Sequence, residues 1–432
     1  MKKITQTIAI FLLVFFSANA QQEKGIVGLN NWLNNWTEFK PNKVEYGEAN
    51  QILAGNISTN TKLIKRNIYL LQGNVYVTNN AVLTIEPGTL IIGDFDTKGT
   101  LIITKGASII ADGLETDPIV FTSNRSLKKA GDWGGIIILG DAPINKFGGV
   151  ASFSPTNSYL NPLLTTYGGL NAASSSGILR YMRIEFAGAK IAGTSTNLNS
   201  LLFAGAGNKT IVENVMISFS GGHSTEMYGG DLNLSQMVSF KSSNDDFRFN
   251  FGAQCRITNS LAVRSSFLSS KLGSRCLDVA SYDKKEEVDL SKKQTFVVAT
   301  NLTLVNNSAN ILVDMESGLI KEAIYVAENT TLQCKKTVIS GFKPAILLDS
   351  NLQITAESLS RIKFESLYIN NCKGNIFTVD NSNNDDLESY YGQPAFFNLL
   401  NLGSLNSETF IDSANEKKPD FRLQLSKITA SK

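Results

Sequence analysis

Between residues 223 and 248 the chain gathers His223, Glu226, Asp245, Asp246 and Arg248, and His223 is its only histidine. An imidazole beside two carboxylates can move protons during cleavage of a glycosidic bond, with a guanidinium to hold an acidic sugar. On this reading His223, Asp245, Asp246 and Arg248 are the candidate catalytic set of a uronic-acid hydrolase or lyase. Glu226 and Asn244 are candidate ligand-binding residues, as is Trp133 in the run GDWGG, where an indole face could stack on a sugar ring. Packing between a coil and its covering loop is the competing role for Trp133, and the expected one. Asp231, Asp245 and Asp246 are candidate oxygen ligands for calcium, although no Asp motif repeats along the chain.

These residues are positioned by a repeat. Segments 178–186 (ILRYMRIEF), 211–219 (IVENVMISF), 232–240 (LNLSQMVSF) and 255–263 (CRITNSLAV) align without gaps. Each carries apolar residues at its start, six on and eight on, and the last two form the period-2 pair of a strand. Small or polar turns follow. The offsets are 33, 21 and 23 residues; the shorter two suit one coil of a parallel β-helix with tight turns, and the longer one carries an inserted loop. The fold class predicted is all-β: a right-handed, single-stranded parallel β-helix. Stacking at about 4.8 Å per coil would set Phe186, Phe219 and Phe240 as an aromatic ladder inside the tube. His223 follows the 211–219 strand, and Asn244, Asp245 and Asp246 occupy the equivalent turn one coil later, so the repeat itself brings them together. The same register gives these residues an ordinary role, because Asn, Asp and Ser fill turns by tolerating left-handed backbone and bonding nearby amides.

The rhythm continues through 75–92, 101–110, 119–121, 295–304, 324–332 and 364–369, with no long amphipathic helix. It breaks at both ends. The expected organisation is a signal peptide over 1–20, an N-terminal cap over 21–60, coils over 61–380 with a long loop at 140–177 along one outer face, and a C-terminal cap over 381–432. Trp32, Trp36 and Phe39 are expected to pack over the first coil. The leader reading rests on basic Lys2 and Lys3, the apolar run 8–16 and small residues before Gln21. That run is too short for a membrane span, so an exported, non-spanning protein of the periplasm, cell surface or medium is expected. Without Lys2 and Lys3 the chain has 38 basic against 38 acidic residues, which argues against nucleic acid as a partner. Cys255, Cys276, Cys334 and Cys372 are too few for a disulfide scaffold. Buried thiols are expected, with a bridge between Cys255 and Cys276 left open.

The runs LTIEPG at 83–88, GDWGGIIILG at 131–140, APIN at 142–145 and the strand 178–188 resemble a large group of secreted Bacteroidetes β-helix proteins, pectin-lyase-like in fold and often labelled "multidrug transporter". The likeness spans about residues 65 to 310. It implies the β-helix and carries no assigned activity. Acidic clusters common in that group before the 178 strand and after the 219 strand are replaced here by GGLNAASSS and GGHST, which weakens a cation role. The Asp pair and Gly-His also resemble fragments of polygalacturonases. There, however, the Asp pair precedes the histidine, and the Asn-Thr-Asp and Arg-x-Lys partners are missing here. The expectation is therefore a non-catalytic binding protein without a required cofactor, its partner a polysaccharide, an outer-membrane protein or a TonB-dependent uptake complex. A carbohydrate-active enzyme and a structural surface-layer component are the alternatives.

Overall fold

The computed structural model describes residues 24–429 apart from 154–159, 271–272, 309, 375 and 380–384; the expected leader lies outside the described residues. Among the described residues twenty-nine strands join in one continuously wound parallel sheet, as the repeat predicts. Each coil contributes three short strands. Val238–Phe240, Phe247–Asn250 and Gln254–Thr258 make one turn, and pair in register with Leu261–Arg264, Leu277–Val279 and Phe296–Thr300 of the next. The three stacks of strands are faces A, B and C in that order. The corner from C to A is a single residue in the left-handed region, at Tyr181, Asn214, Gln236, Asn259, Asn301, Lys336 and Ser366 in successive coils. Asparagine recurs there because its short side chain tolerates that backbone at low cost.

Alternation along each strand sends every second side chain inward. On face B the inner column reads Leu201, Thr225, Phe247, Leu277, Ile324, Ile346 and Phe377. Interior residues from all three faces form one continuous apolar cluster. All four cysteines are free and buried; Cys255 stacks between Leu232 and Val297, not against Cys276.

The register differs from the gapless alignment by one residue at a single step. Met216 pairs with Val238 and Ser218 with Phe240, so the offset there is 22. A one-residue slip exchanges the two sides of a strand. Ile184 and Ile217 point inward, but Val238 and Phe240 point outward, with Ser239 between them facing in. Phe186 does stack on Phe219, and Phe219 meets Phe240 edge-on, yet this ladder lies against the outside of the tube.

The outside of face A is apolar because both chain ends cover it. Met216, Val238, Phe240, Leu261, Val263, Val305 and Val338 pack against Ile26, Leu33, Trp36 and Phe39 and against Phe410, Phe421 and Leu423. The N-terminal segment thus runs along the flank instead of over the first coil. Gly25 donates to Lys336 O, Ile26 to Thr303 Oγ1 and Val27 to Asn259 Oδ1. Trp36 meets Tyr181 edge-on, several coils up. The winding itself runs from Gln51–Ile57, largely exposed as the first rung, to Leu399–Asn401. Within the C-terminal region, the short helix Asp385–Tyr391 sets Leu387 and Tyr391 onto the interior and covers its end.

Candidate functional site

One outward column of face B reads Tyr76, Ile102, Ile137, Leu202, Glu226, Arg248 and Asp278 in register. Its first part is apolar because the loop at 140–177 lies on it, through Ile144, Phe153, Leu160 and Tyr167. Where the loop ends, the column turns charged. The edge of the loop and the exposed coils enclose a cleft of about 440 Å³, bounded by Phe153 and Tyr167 on one side and by His223, Glu226, Tyr228 and Arg248 on the floor.

The corrected offset of 22 sets His223 against Asp245. The imidazole Nδ1 lies 3.2 Å from Asp245 Oδ2 and 3.2 Å from the Asp245 amide nitrogen. Nε2 lies 3.3 Å from Arg248 Nη1. Burial opposes a charge on the ring, but the Asp245 hydrogen bond and the nearby charges of Glu226 and Asp245 hold His223 above its ordinary value. Asp245 also accepts from the Arg275 amide at 2.9 Å. Although burial pushes against its ionisation, the bond and charge of His223, then Arg248 and Arg275, keep its carboxyl well below the usual range.

Asp246 is turned away from the cleft. It sits at the corner between faces A and B, accepting from the inward Ser239 hydroxyl at 2.5 Å and facing Arg264 Nη1 at 3.3 Å. Both charged side chains are 0% exposed, and burial raises the Asp246 carboxyl to about 6. Neighbouring aspartates thus occupy opposite sides of the wall. Arg248 is held between two acids, with Nε 3.4 Å from Glu226 Oε1 and Nη2 2.5 Å from Asp283 Oδ1. Glu226 takes a further bond from Asn199. The next rung repeats the scheme, with Arg275 paired to Asp278 at 3.0 Å and to Glu322.

Of the sequence candidates, His223, Glu226, Arg248 and Asn244 line the cleft and Asp245 backs it; Asp246 does not reach it. Asn244 is tied through Oδ1 to Ser270. Trp133 is no sugar platform. It is fully buried in the interior, stacked on Phe121, with its indole N–H donating to Glu185 O at 2.7 Å. A Cβ at Gly93 would stand 2.4 Å from that indole, so the neighbouring coil is fitted around it. The calcium set is not brought together either: Asp231 lies in a separate hollow with Gln254 and Lys292 and takes a bond from Asn208. Among the described residues no three His, Cys, Asp or Glu side chains form a group that could hold a metal.

Asn199, Asp278, Asp283 and Tyr228 escaped the sequence reading. Asn199 and Asp283 lie in irregular connections with no repeat to place them. Tyr228 stands one offset of 22 before Asn250 and was within reach of the corrected register.

No helix among the described residues is long and apolar enough to cross a membrane. A family model for a pectate-lyase-like β-helix domain matches residues 55–403. No curated protein and no solved structure matches the chain.

Proposed function

The chain belongs to the pectate-lyase-like β-helix family, and from that premise we propose that it is an exported protein that binds a polysaccharide in the face B cleft without cleaving it. The observation that carries this reading is the engagement of every catalytic candidate. Both nitrogens of His223 are occupied, Asp245 is its ion-pair partner, Asp246 is enclosed with Arg264, and Arg248 is held by two carboxylates. General acid–base work passes a proton between a side chain and the substrate; here His223 Nε2 faces the Arg248 guanidinium, which does not give up its protons, and Asp246 lies outside the cleft. What the cleft offers instead is a fixed array of hydrogen-bonding groups beside aromatic rings, the usual composition of a site that orients a ligand.

The leader-like first 20 residues and the likeness to secreted Bacteroidetes β-helix proteins support export, with the cleft displayed at the cell surface or in the periplasm. A glycan array followed by a search for released products tests the proposal. Binding to at least one glycan, weakened by Arg248→Ala, with no new reducing or unsaturated ends is the expected result. Turnover of a bound glycan by the wild type that disappears in His223→Ala would overturn it in favour of an enzyme. Copurification of a stoichiometric outer-membrane protein, with no glycan bound, would overturn it in favour of a protein partner.

A further inference from the structure

The charges in the cleft are unevenly spent, and this bears on what enters it. Its described cations each have an acidic partner already. Lys146 Nζ lies 3.1 Å from Glu287 Oε2, Arg248 lies between Glu226 and Asp283, and His223 faces Asp245. Three lining carboxylates, Glu226, Asp283 and Glu287, therefore stand against two fixed cations and one imidazole, with the Asp245 carboxylate behind the imidazole. An incoming carboxylate would find no unpaired positive group among the described residues, and would meet like charge in a half-buried setting where desolvation makes that costly.

The acceptors, by contrast, are under-used. Glu226 Oε1 is buried at the cleft wall and faces Arg248 Nε at 3.4 Å, an ion pair outside hydrogen-bonding geometry that leaves both atoms without a hydrogen-bond partner. Asp283 and Glu287 keep side chains 45% and 39% exposed. Asp283 and Glu287 are the acceptors that a ligand N–H or O–H can reach, and the Glu226 carboxylate acts on a ligand cation through its charge from within the wall. Tyr228 packs among Phe153, Tyr167 and Phe251, and aromatic faces attract cations as well as sugar C–H surfaces.

We propose that the face B cleft selects a glycan that brings hydrogen-bond donors and no negative charge, with amine-bearing sugars preferred over neutral ones and uronic acids excluded. This rests on the glycan-binding reading above and names its ligand class. Glu226 and Asp283 are the residues that set the preference.

The test is calorimetric titration of the full exported chain with three oligosaccharides of equal length: a glucosamine oligomer, its N-acetylated form and a galacturonate oligomer. The glucosamine oligomer should bind about tenfold tighter than the acetylated one, and the galacturonate oligomer should give no heat of binding. Glu226→Gln and Asp283→Asn should each bring the ratio of glucosamine-oligomer to acetylated-oligomer affinity down to about one, whatever either does to binding of the acetylated oligomer itself. Tighter binding of the galacturonate oligomer overturns the proposal. So does an amine preference that survives both substitutions, or silence of all three probes where other glycans on the array bind. Silence of the whole array overturns the glycan-binding reading instead.

Discussion

The two halves of the outward column on face B share a face, a continuous register and one interior, and differ in their outward chemistry and in what lies over them. Above, Ile102, Ile137 and Leu202 are sealed by the loop at 140–177; below, Glu226, Arg248 and Asp278 meet the cleft. The inner column is apolar through both halves except at Thr225. In this molecule the inward residues specify the coil, and the outward residues record whether a second layer covers it. The β-helix can therefore change its surface chemistry from one rung to the next without disturbing the winding.

The most direct way to break the comparison is to write the open half into the covered one. Leu202→Glu places an unpaired carboxylate beneath the loop, and breaking charge balance in such surroundings costs about 3–5 kcal/mol. Chemical denaturation should show that loss, and amide exchange should show the loop opening around Ile144 and Tyr167. A gentler version, Ile137→Val, removes one methylene from the same seal and should cost about 1 kcal/mol, with cleft binding intact.

In the open half the expected effects on stability are smaller and depend on pH. His223 titrates above its ordinary 6.5 in the folded chain. A raised value means that protonation favours the fold. Its contribution is thus complete below 6.5 and disappears as pH rises through the folded value. Unfolding midpoints should decline over that interval in the wild type and stay flat there in His223→Gln. Asp246 contributes a separate decline, between its ordinary 3.8 and about 6, because the folded chain keeps a proton that the unfolded chain releases. That earlier decline should persist in His223→Gln. The smallest stability change is expected for Asp283→Ala, whose half-exposed ion pair with Arg248 is worth about 0.2–1 kcal/mol. Loss of amine preference without loss of fold in that variant would sharpen the contrast between a layer that holds the molecule together and a layer that meets a ligand.

The sequence displayed the coil because apolar positions recur at fixed places in segments one coil length apart, each followed by a small or polar turn. It displayed the meeting of His223 with Asp245 for the same reason. What it hid follows from the outer layers. Val238 and Phe240 are as apolar as inward residues because the chain ends cover them, so hydrophobicity alone could not tell the two sides apart, and the register slipped by one. Trp133 packs, as expected of it, but inside the tube against Phe121, where Gly93 in the neighbouring coil makes room for it, and not between a coil and its covering loop. Asp245 and Asp246 read as an equivalent pair, yet one chain bond sets them on opposite sides of the wall. Asn199 and Asp283 come from connections of irregular length, where no periodicity exists to place them.

The covering of face A has a consequence for how the molecule is completed. Coils wind through contacts with the rung before, but Ile26 bonds Thr303 across 277 residues and Arg422 reaches Gly28 across 394. Contacts of such span belong to the slowest class to form. The clasp between the two ends needs the coils from Met216 to Val338 in place, and without it that stripe is an apolar strip open to association with other chains. Winding can proceed rung by rung, whereas protection comes in one late step when both ends of the chain arrive on the same flank.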